Sequence, residues 1–342
     1  MKNFFFSLLL LPVISFAQNF TLKELTAGRN TSMRGLSVVT DSIAWVSGSN
    51  GYVGKTLDGG KTWEWTQPKG YEKLDFRDIE AFDKFKAIVV NAGSPAYVLS
   101  TIDGGKTWRE VYKNTDSAIF LDGMDFWNPQ EGIIFGDPIR NQMQLLKTTD
   151  GGLTWLDISK NLKEELKVGE AGFAASGTTI RTAKDGKTWI ATGGSTSRIF
   201  FSNNFGHKWK VYDCPIIQGE SSTGPFSIAF YNGKKGIAVG GNYLKDKENT
   251  NNVLLTSNGG KTWSKPSKPV FGYRSAVEYI NAQLCFATGS SGTDYSADGG
   301  LTWQNISTQN FNAIQKAKKG SLVLLTGNRG QIYKLVNKSE SR

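Results

Sequence analysis

An eight-residue motif recurs along this chain of 342 residues and constrains its fold more than any other feature. The string TLDGGKTW at residues 56–63 returns almost unchanged at residues 101–108, and looser copies follow. The Asp or Asn positions of the six copies are Asp58, Asp103, Asp150, Asn204, Asn258 and Asp298, spaced by 45, 47, 54, 54 and 40 residues. A period of about 40–50 residues is typical of one four-stranded propeller blade.

The motif itself, called the Asp box below, is explained by turn geometry. An Asp or Asn side chain accepts hydrogen bonds from nearby backbone N–H groups and so holds a tight turn. The glycines that follow allow a positive φ without a steric penalty, and the closing Trp offers a large surface for burial between blades. We therefore interpret the six Asp and Asn positions as structural rather than catalytic.

A second signature lies between the boxes: a β-rich stretch that ends in Gly. It occurs seven times, at residues 43–48, 87–93, 132–136, 188–193, 236–240, 284–289 and 323–327. The seventh unit has no box, while residues 21–25 align with the strand that follows a box. The sequence therefore predicts an all-β, seven-bladed propeller with six Asp-box turns, whose last blade is closed by the N-terminal strand. Such closure removes exposed sheet edges.

The N-terminus is typical of an export signal. Lys2 is followed by an apolar stretch at residues 4–14, and Ala17 ends a small-residue cleavage site. The apolar stretch is too short for a membrane span. We expect residues 1–17 to be a signal peptide, residues 18–342 to form a single propeller domain, and the protein to be periplasmic or secreted.

The formal net charge of +10 favours acidic partners. Export makes nucleic acid an implausible partner, so we expect an acidic envelope protein or an anionic glycan, bound by a monomer. Cys214 and Cys285 fall two blades apart. We expect two separate buried thiols rather than a disulfide.

The boxes resemble the bacterial neuraminidase repeat of sialidase-like propellers. The wording Asp-Gly-Gly-Lys-Thr-Trp and the seven units are similar to photosystem II assembly and stability factors and their non-photosynthetic bacterial relatives. That resemblance implies a binding or assembly protein, although a fold does not dictate a function. Sialidases also carry a Phe/Tyr-Arg-Ile-Pro segment ahead of the first box. The nearest string here, FRDI at residues 76–79, lacks the Pro and follows that box.

Several kinds of chemistry find no support in the residues. The one histidine, His207, lies inside the degenerate fourth box, and we interpret it as an exposed turn residue. A Ser-His-Asp triad and a His/Cys zinc site are therefore not expected. No glycine-rich fingerprint precedes a helix, so we expect no dinucleotide or other cofactor.

The resemblance implies that ligands bind on the face opposite the boxes, and arginines gather on the segments that form it. They lead into first strands or lie between second and third strands, and are Arg34, Arg77, Arg274, Arg140, Arg198 and Arg329. Guanidinium groups bind carboxylate, sulfate or phosphate through two donors at once, which suggests an anion site. The alternative is that these arginines pair locally with Asp78, Asp122, Asp137, Glu170 or Glu220.

Three longer segments predict an asymmetric rim on this face: residues 159–169, 213–224 and 242–252. We expect the first of them to form a short amphipathic helix with Leu162 and Leu166 on one side. These features favour a non-catalytic binding module. The alternative is a sialidase-like glycoside hydrolase, which needs two converging carboxylates. Its candidate acids are Asp78, Glu80, Asp122, Asp125 and Glu170.

Overall fold

Within residues 20–27 and 29–338, which the computed structural model describes, the backbone forms 28 β-strands in seven antiparallel sheets. The strands of the first three blades are β2 (Met33–Val38), β3 (Ala44–Gly48), β4 (Val53–Thr56), β5 (Glu64–Thr66); β6 (Phe76–Ala81), β7 (Ala87–Asn91), β8 (Ala96–Thr101), β9 (Arg109–Asn114); β10 (Leu121–Phe126), β11 (Gly132–Ile139), β12 (Gln142–Thr148) and β13 (Leu156–Asp157). The predicted signal peptide, residues 1–17, lies outside the described residues.

The remaining blades vary more in strand number. Their strands are β14 (Glu170–Ala171), β15 (Ile180–Ala183), β16 (Lys187–Gly194), β17 (Arg198–Ser202), β18 (Lys210–Asp213); β19 (Thr223–Phe230), β20 (Gly236–Asn242), β21 (Val253–Thr256); β22 (Ala276–Tyr279), β23 (Cys285–Gly289), β24 (Gly292–Ser296), β25 (Gln304–Ser307); β26 (Ala313–Lys316), β27 (Val323–Thr326), β28 (Gln331–Asn337) and β1 (Phe20–Ala27). Two 3₁₀ turns, Ser159–Asn161 and Asn328–Gly330, complete the elements of the described residues. No helix among them is long and apolar enough to cross a membrane.

The sheets form a ring because their innermost strands contact one another in sequence. β2 contacts β6, each later first strand contacts the next, and β26 contacts β2 again. The seven-bladed, all-β architecture predicted from the repeat is confirmed. In the seventh sheet β1 is the outermost strand and pairs antiparallel with β28, with Leu22 opposite Leu335. The first and last strands of the described chain thus share one sheet.

The apolar core lies in the seams between neighbouring blades. Leu36 and Val46 of the first blade pack with Leu324 and Ile332 of the seventh, and equivalent clusters follow around the ring. Each box Trp packs against the seam with the preceding blade, as Trp63 does here. Cys214 and Cys285 are both buried and free, as expected.

The box turns lie between the third and fourth strands, and their hydrogen bonds explain the motif. Thr56 Oγ1 accepts the Gly60 N–H at 2.9 Å and donates to Asp58 Oδ1 at 2.9 Å. Asp58 in turn accepts the N–H of Thr62 at 2.9 Å and its hydroxyl at 2.6 Å. Gly59 and Gly60 have φ values of 75° and 91°, a region that favours glycine. The recurring Thr, Asp and Gly residues of the box therefore each have a local role in the turn.

Two segments depart from the regular blade. The predicted helix at residues 159–169 is wrong: only the 3₁₀ turn Ser159–Asn161 forms, since so short a segment cannot offset the cost of helix nucleation. Leu162 and Leu166 are nevertheless both buried. In the fifth blade the fourth strand shrinks to one bridge between Leu255 and Ser264, because Pro266 and Pro269 interrupt the segment that follows and cannot donate ladder hydrogen bonds.

Candidate functional site

A cavity of about 510 Å³ opens at the centre of the ring, on the face opposite the boxes. All seven blades contribute to its wall, through residues that include Arg34, Arg77, Asp122, Phe173, Phe226, Tyr273 and Asn312. Most of these side chains lie at the start of a first strand. The site is therefore built from equivalent positions of the repeat.

A shared backbone irregularity aims these side chains inward. In four blades the ladder between the first and second strands slips by one residue, and the extra residues are Arg34, Arg77, Asp122 and Phe226. A β-bulge of this kind redirects the side chain of its extra residue. In each case the bulge residue lies two positions before a buried apolar residue: Leu36, Ile79, Met124 and Ile228. The same offset from Val277 and Ile314 gives Ser275 and Asn312, which also line the cavity.

The first two blades supply the positive wall of the cavity. Arg34 Nη1 donates to the Ala175 carbonyl at 3.1 Å, and Arg77 Nε donates to Asp75 Oδ2 at 2.8 Å. Both guanidinium groups are half-buried. Burial, and secondly the charge of Arg77, lower the pKa of Arg34. Two like charges held together in a partly desolvated place favour the binding of an anionic group.

Blades four to six supply an aromatic wall. The rings of Phe173 and Phe226 stack with centroids 3.8 Å apart, and Tyr273 meets Phe226 edge-on at 4.8 Å. Tyr243 extends the wall outward, 48% exposed, with its ring 5.9 Å from that of Phe226. Next to it Leu244 is 73% exposed on the rim. This side of the cavity presents apolar surface to a ligand.

Asp122 and Asp137 form a carboxyl pair in the third-blade side of the cavity. Asp122 is buried, and no hydrogen-bond donor of the described residues reaches either of its oxygens. Asp137 accepts the Gly172 N–H at 2.9 Å. Burial first, and then the carboxylate of Asp137, raise the pKa of Asp122 well above its usual range. Burial and a neighbouring like charge both disfavour the ionised form of a carboxyl group, so the site favours neutral Asp122.

The six predicted arginines separate into three groups. Arg34 and Arg77 line the central cavity. Arg140 and Arg329 are exposed at turns with positive φ and are not among its lining residues. The remaining two, Arg274 and Arg198, are buried in ion pairs and do not line the central cavity.

The structure explains why Arg274 and Arg198 do not reach the central cavity. Arg274 is fully buried with Asp294, Nη2 to Oδ2 at 2.6 Å. It comes one residue before Ser275, which holds the position that lines the cavity in this blade. Arg198 forms a forked ion pair with the fully buried carboxylate of Glu170 and also contacts Glu164 at 3.0 Å. Both arginines thus pair locally, Arg198 with the expected partner Glu170 and Arg274 with Asp294, which was not among the predicted partners.

The five acidic residues considered for a hydrolase also lie in different parts of the molecule. Asp78 is buried and accepts the N–H groups of Ile79 and Met124, and Glu170 pairs with Arg198. Glu80 and Asp125 lie in the second half of their first strands, where Lys318 pairs with Glu80. Only Asp122 lines the central cavity. His207 is exposed, as predicted, and the described residues contain no cluster of three His, Cys, Asp or Glu suited to a metal ion.

Sequence reasoning missed the aromatic wall, although a signal for it exists. Phe226 lies two residues before a buried apolar residue of a first strand, the same offset as Arg34 and Arg77. The same offset identifies one cavity residue in each of six blades: Arg34, Arg77, Asp122, Phe226, Ser275 and Asn312. Phe173 and Tyr243 belong to irregular segments, and their approach to the cavity depends on tertiary packing.

Comparison with known proteins supports the resemblance. Residues 21–116 match a family model described as photosynthesis system II assembly factor YCF48, so the resemblance inferred from the boxes is confirmed. No curated protein matches the sequence.

Solved structures extend the likeness in fold to nearly the whole chain. YCF48 bound to a D1 peptide is 16% identical, with a TM-score of 0.67 over 94% of this chain and 97% of that one. YCF48 from Cyanidioschyzon merolae is 15% identical, with a TM-score of 0.66 over 92% of this chain and 98% of that one. A GH74 xyloglucanase from Xanthomonas campestris is 15% identical, with a TM-score of 0.61 over 94% of this chain and 54% of the enzyme.

Proposed function

We propose that this protein is a non-catalytic binding or assembly module that holds a segment of a partner protein in its central cavity. The observation that carries this proposal is the pairing of two arginines, Arg34 and Arg77, with a wall of aromatic side chains in one concavity. Arginine and aromatic residues are enriched in the cores of protein interfaces, whereas lysine is depleted there. The cavity has the composition of a protein-binding site.

The cavity also indicates the chemistry of the bound segment. An acidic side chain or another carboxylate fits the Arg34 and Arg77 guanidinium groups. An apolar or aromatic side chain fits the surface of Phe226, Tyr243 and Tyr273. A protein segment offers both groups side by side, which favours it over an anionic glycan at this site. YCF48, which has the same fold, has been captured with a peptide bound, which supports a peptide as the ligand class.

The place of action follows from the N-terminal sequence. Lys2, the apolar residues 4–14 and the small residues that end at Ala17 support cleavage after Ala17 and export to the periplasm or beyond. The partner is then an envelope protein, bound by a monomer. N-terminal sequencing of protein recovered from the envelope fraction would begin at Gln18 if this is correct. Recovery of chains that begin at Met1 only would contradict export.

Affinity capture from an envelope extract tests the binding site. The bait proteins are the wild type, the double variant Arg34→Ala/Arg77→Ala and a charge-matched control, Arg109→Ala/Lys113→Ala, on the exposed outer strand of the second blade. We expect a partner that the wild type and the control enrich alike and that the cavity variant loses by about tenfold or more, since truncating charged anchors costs about 2 kcal/mol. A partner retained by the cavity variant would contradict the proposed site.

The hydrolase alternative has one observation in its favour, the pair Asp122 and Asp137 at the cavity wall. In glycosidases the two carboxyl groups are about 5–10 Å apart so that substrate and water fit between them. Here Asp122 is buried, and burial and the neighbouring Asp137 carboxylate raise its pKa, so this pair does not provide two separate, accessible carboxyl groups. Turnover of any aryl glycoside or aryl sialoside that Asp137→Asn abolishes would favour the enzyme and overturn the non-catalytic proposal.

A further inference from the structure

A second concavity, of about 860 Å³, lies beside the fourth blade, and half of its lining residues are basic, four of them lysines. We call it the lysine groove. Lys160, Lys163 and Lys167 come from the inserted segment after the third blade, and Lys208 and His207 come from the degenerate fourth box. Trp209 supplies the main apolar surface. No residue of the central cavity takes part.

The four lysines carry charge that the protein does not neutralise. All four side chains are exposed, and none forms an ion pair with another of the described residues. The groove has two carboxylates, Glu164 and Asp213, and Glu164 already pairs with Arg198. A concave surface with uncompensated positive charge concentrates anions.

The inserted segment is anchored, so the lysines are held in place. Arg198 and Glu170 form its buried support, and Arg198 Nη2 also donates to the Glu165 carbonyl at 2.8 Å. Leu162 and Leu166 pack into the core cluster of the third and fourth blades. Asn161 Nδ2 donates to the Gly206 carbonyl at 3.1 Å and ties the segment to the box. The buried ion pair thus shapes a rigid basic groove.

We infer that the lysine groove binds an acidic polysaccharide, a chain of sugars that carries carboxylate, sulfate or phosphate groups. Lysine is depleted in protein interfaces, and the groove has one aromatic residue and no unpaired arginine, unlike the central cavity. Ammonium groups act as hydrated point charges that suit a wet, repeating polyanion. This site is separate from the proposed protein site and does not depend on it.

The test measures binding of the chain from Gln18 onward to heparin, polygalacturonate and neutral dextran at low and at physiological salt. The groove variant replaces Lys160, Lys163, Lys167 and Lys208 with Gln. The control variant makes the same four-charge change at exposed lysines elsewhere, Lys61, Lys69, Lys106 and Lys261. We expect the wild type and the control to bind at least one acidic polysaccharide, and the groove variant to bind it about tenfold more weakly. Salt should weaken binding.

Three results would overturn the inference. In the first, the wild type binds neither acidic polysaccharide. In the second, the groove variant and the control variant lose polysaccharide affinity equally. In the third, the wild type binds poly-L-glutamate more tightly than both polysaccharides. Circular dichroism melting of both variants checks their fold. The variant Arg34→Ala/Arg77→Ala should retain polysaccharide binding, so failure of the protein-binding proposal is distinguishable from failure of this one.

Discussion

Asp78 lies one position after the bulge residue Arg77 and faces the opposite way, into the protein. Its two oxygens accept the backbone N–H groups of Ile79 and Met124, at 2.8 and 2.7 Å, so it joins the first strands of the second and third blades. Burial raises the pKa of Asp78 to about 7. A carboxyl group with this pKa changes charge within the physiological range.

The elevated pKa of Asp78 predicts a loss of stability as pH rises. The unfolded chain releases this proton near pH 4 and the folded protein near pH 7, so the folded state holds one more proton in between. The free energy of unfolding should therefore fall from about pH 4 to about pH 7, by about 1.4 kcal/mol per pH unit from this group. Urea unfolding at pH 5, 6 and 7 measures the slope.

Asp78→Asn removes the titrating group, so the pH dependence of the unfolding free energy should lose the contribution of about one proton. The substitution should also lower the unfolding free energy by about 1–3 kcal/mol at every pH, because one N–H group loses its acceptor. The exposed change Glu248→Gln serves as control and should keep the wild-type slope. An unchanged slope in Asp78→Asn would show that Asp78 ionises at an ordinary pH.

At the scale of the element, each box turn combines the side chain of an Asp or Asn near the surface with a buried hydroxyl group. In the third blade Thr148 is 1% exposed, and its Oγ1 accepts the Gly152 N–H at 2.9 Å and donates to Asp150 at 2.8 Å. Hydrogen bonds, chiefly from Thr154, outweigh desolvation and lower the pKa of Asp150 to about 2. Asn replaces Asp in two boxes, where its Oδ1 still accepts the N–H four residues later. The hydrogen-bond acceptor matters more than the charge.

Thr148→Val isolates the contribution of the buried hydroxyl. The shape is kept, but the Gly152 N–H loses its acceptor, so we expect a destabilisation of about 1–3 kcal/mol. Thr115→Val, at an exposed position, is the matched control and should change stability by less than about 0.5 kcal/mol. Denaturant unfolding compares the three proteins. Equal stability of the two variants would mean that the hydroxyl does not hold the turn.

The whole molecule is a ring, and a ring depends on its closure. β1 supplies the fourth strand of the seventh sheet, where Leu22 joins an apolar cluster that includes Phe286 and Tyr333. Phe20 meets the ring of Phe286 edge-on at 5.2 Å. β1 and β28 come from the two ends of the described chain, so their pairing has a very large sequence separation. Their contact therefore couples the first and last parts of the ring.

Leu22→Asp tests the closure, because it places a charge against the seventh-blade cluster. We expect a loss of about 2 kcal/mol and faster hydrogen exchange in β28, its pairing partner. Lys23→Asp introduces an aspartate on the exposed side of the same strand and should change stability and hydrogen exchange little. Wild-type stability in Leu22→Asp would imply that β1 adds nothing to the ring.

The sequence by itself determined the number of blades, the second strand of each and the turn chemistry, because these depend on local hydrogen bonds and on a repeat with a regular period. It also separated Arg34 and Arg77 from the box face. Tertiary structure decided which side chains enter the cavity. A one-residue slip in a strand moves a side chain to the other face, so Ser275 lines the cavity while its neighbour Arg274 is buried.

The partners of buried charges were also decided only in three dimensions. Glu170 and Arg198 are 28 residues apart in sequence and meet because the inserted segment folds back on the fourth blade. That contact turned a predicted ligand residue into the support of the lysine groove. Regular spacing in the sequence predicts structure that repeats locally. The contacts between irregular segments, such as the inserted segment and the fourth blade, depend on tertiary packing that no single repeat encodes.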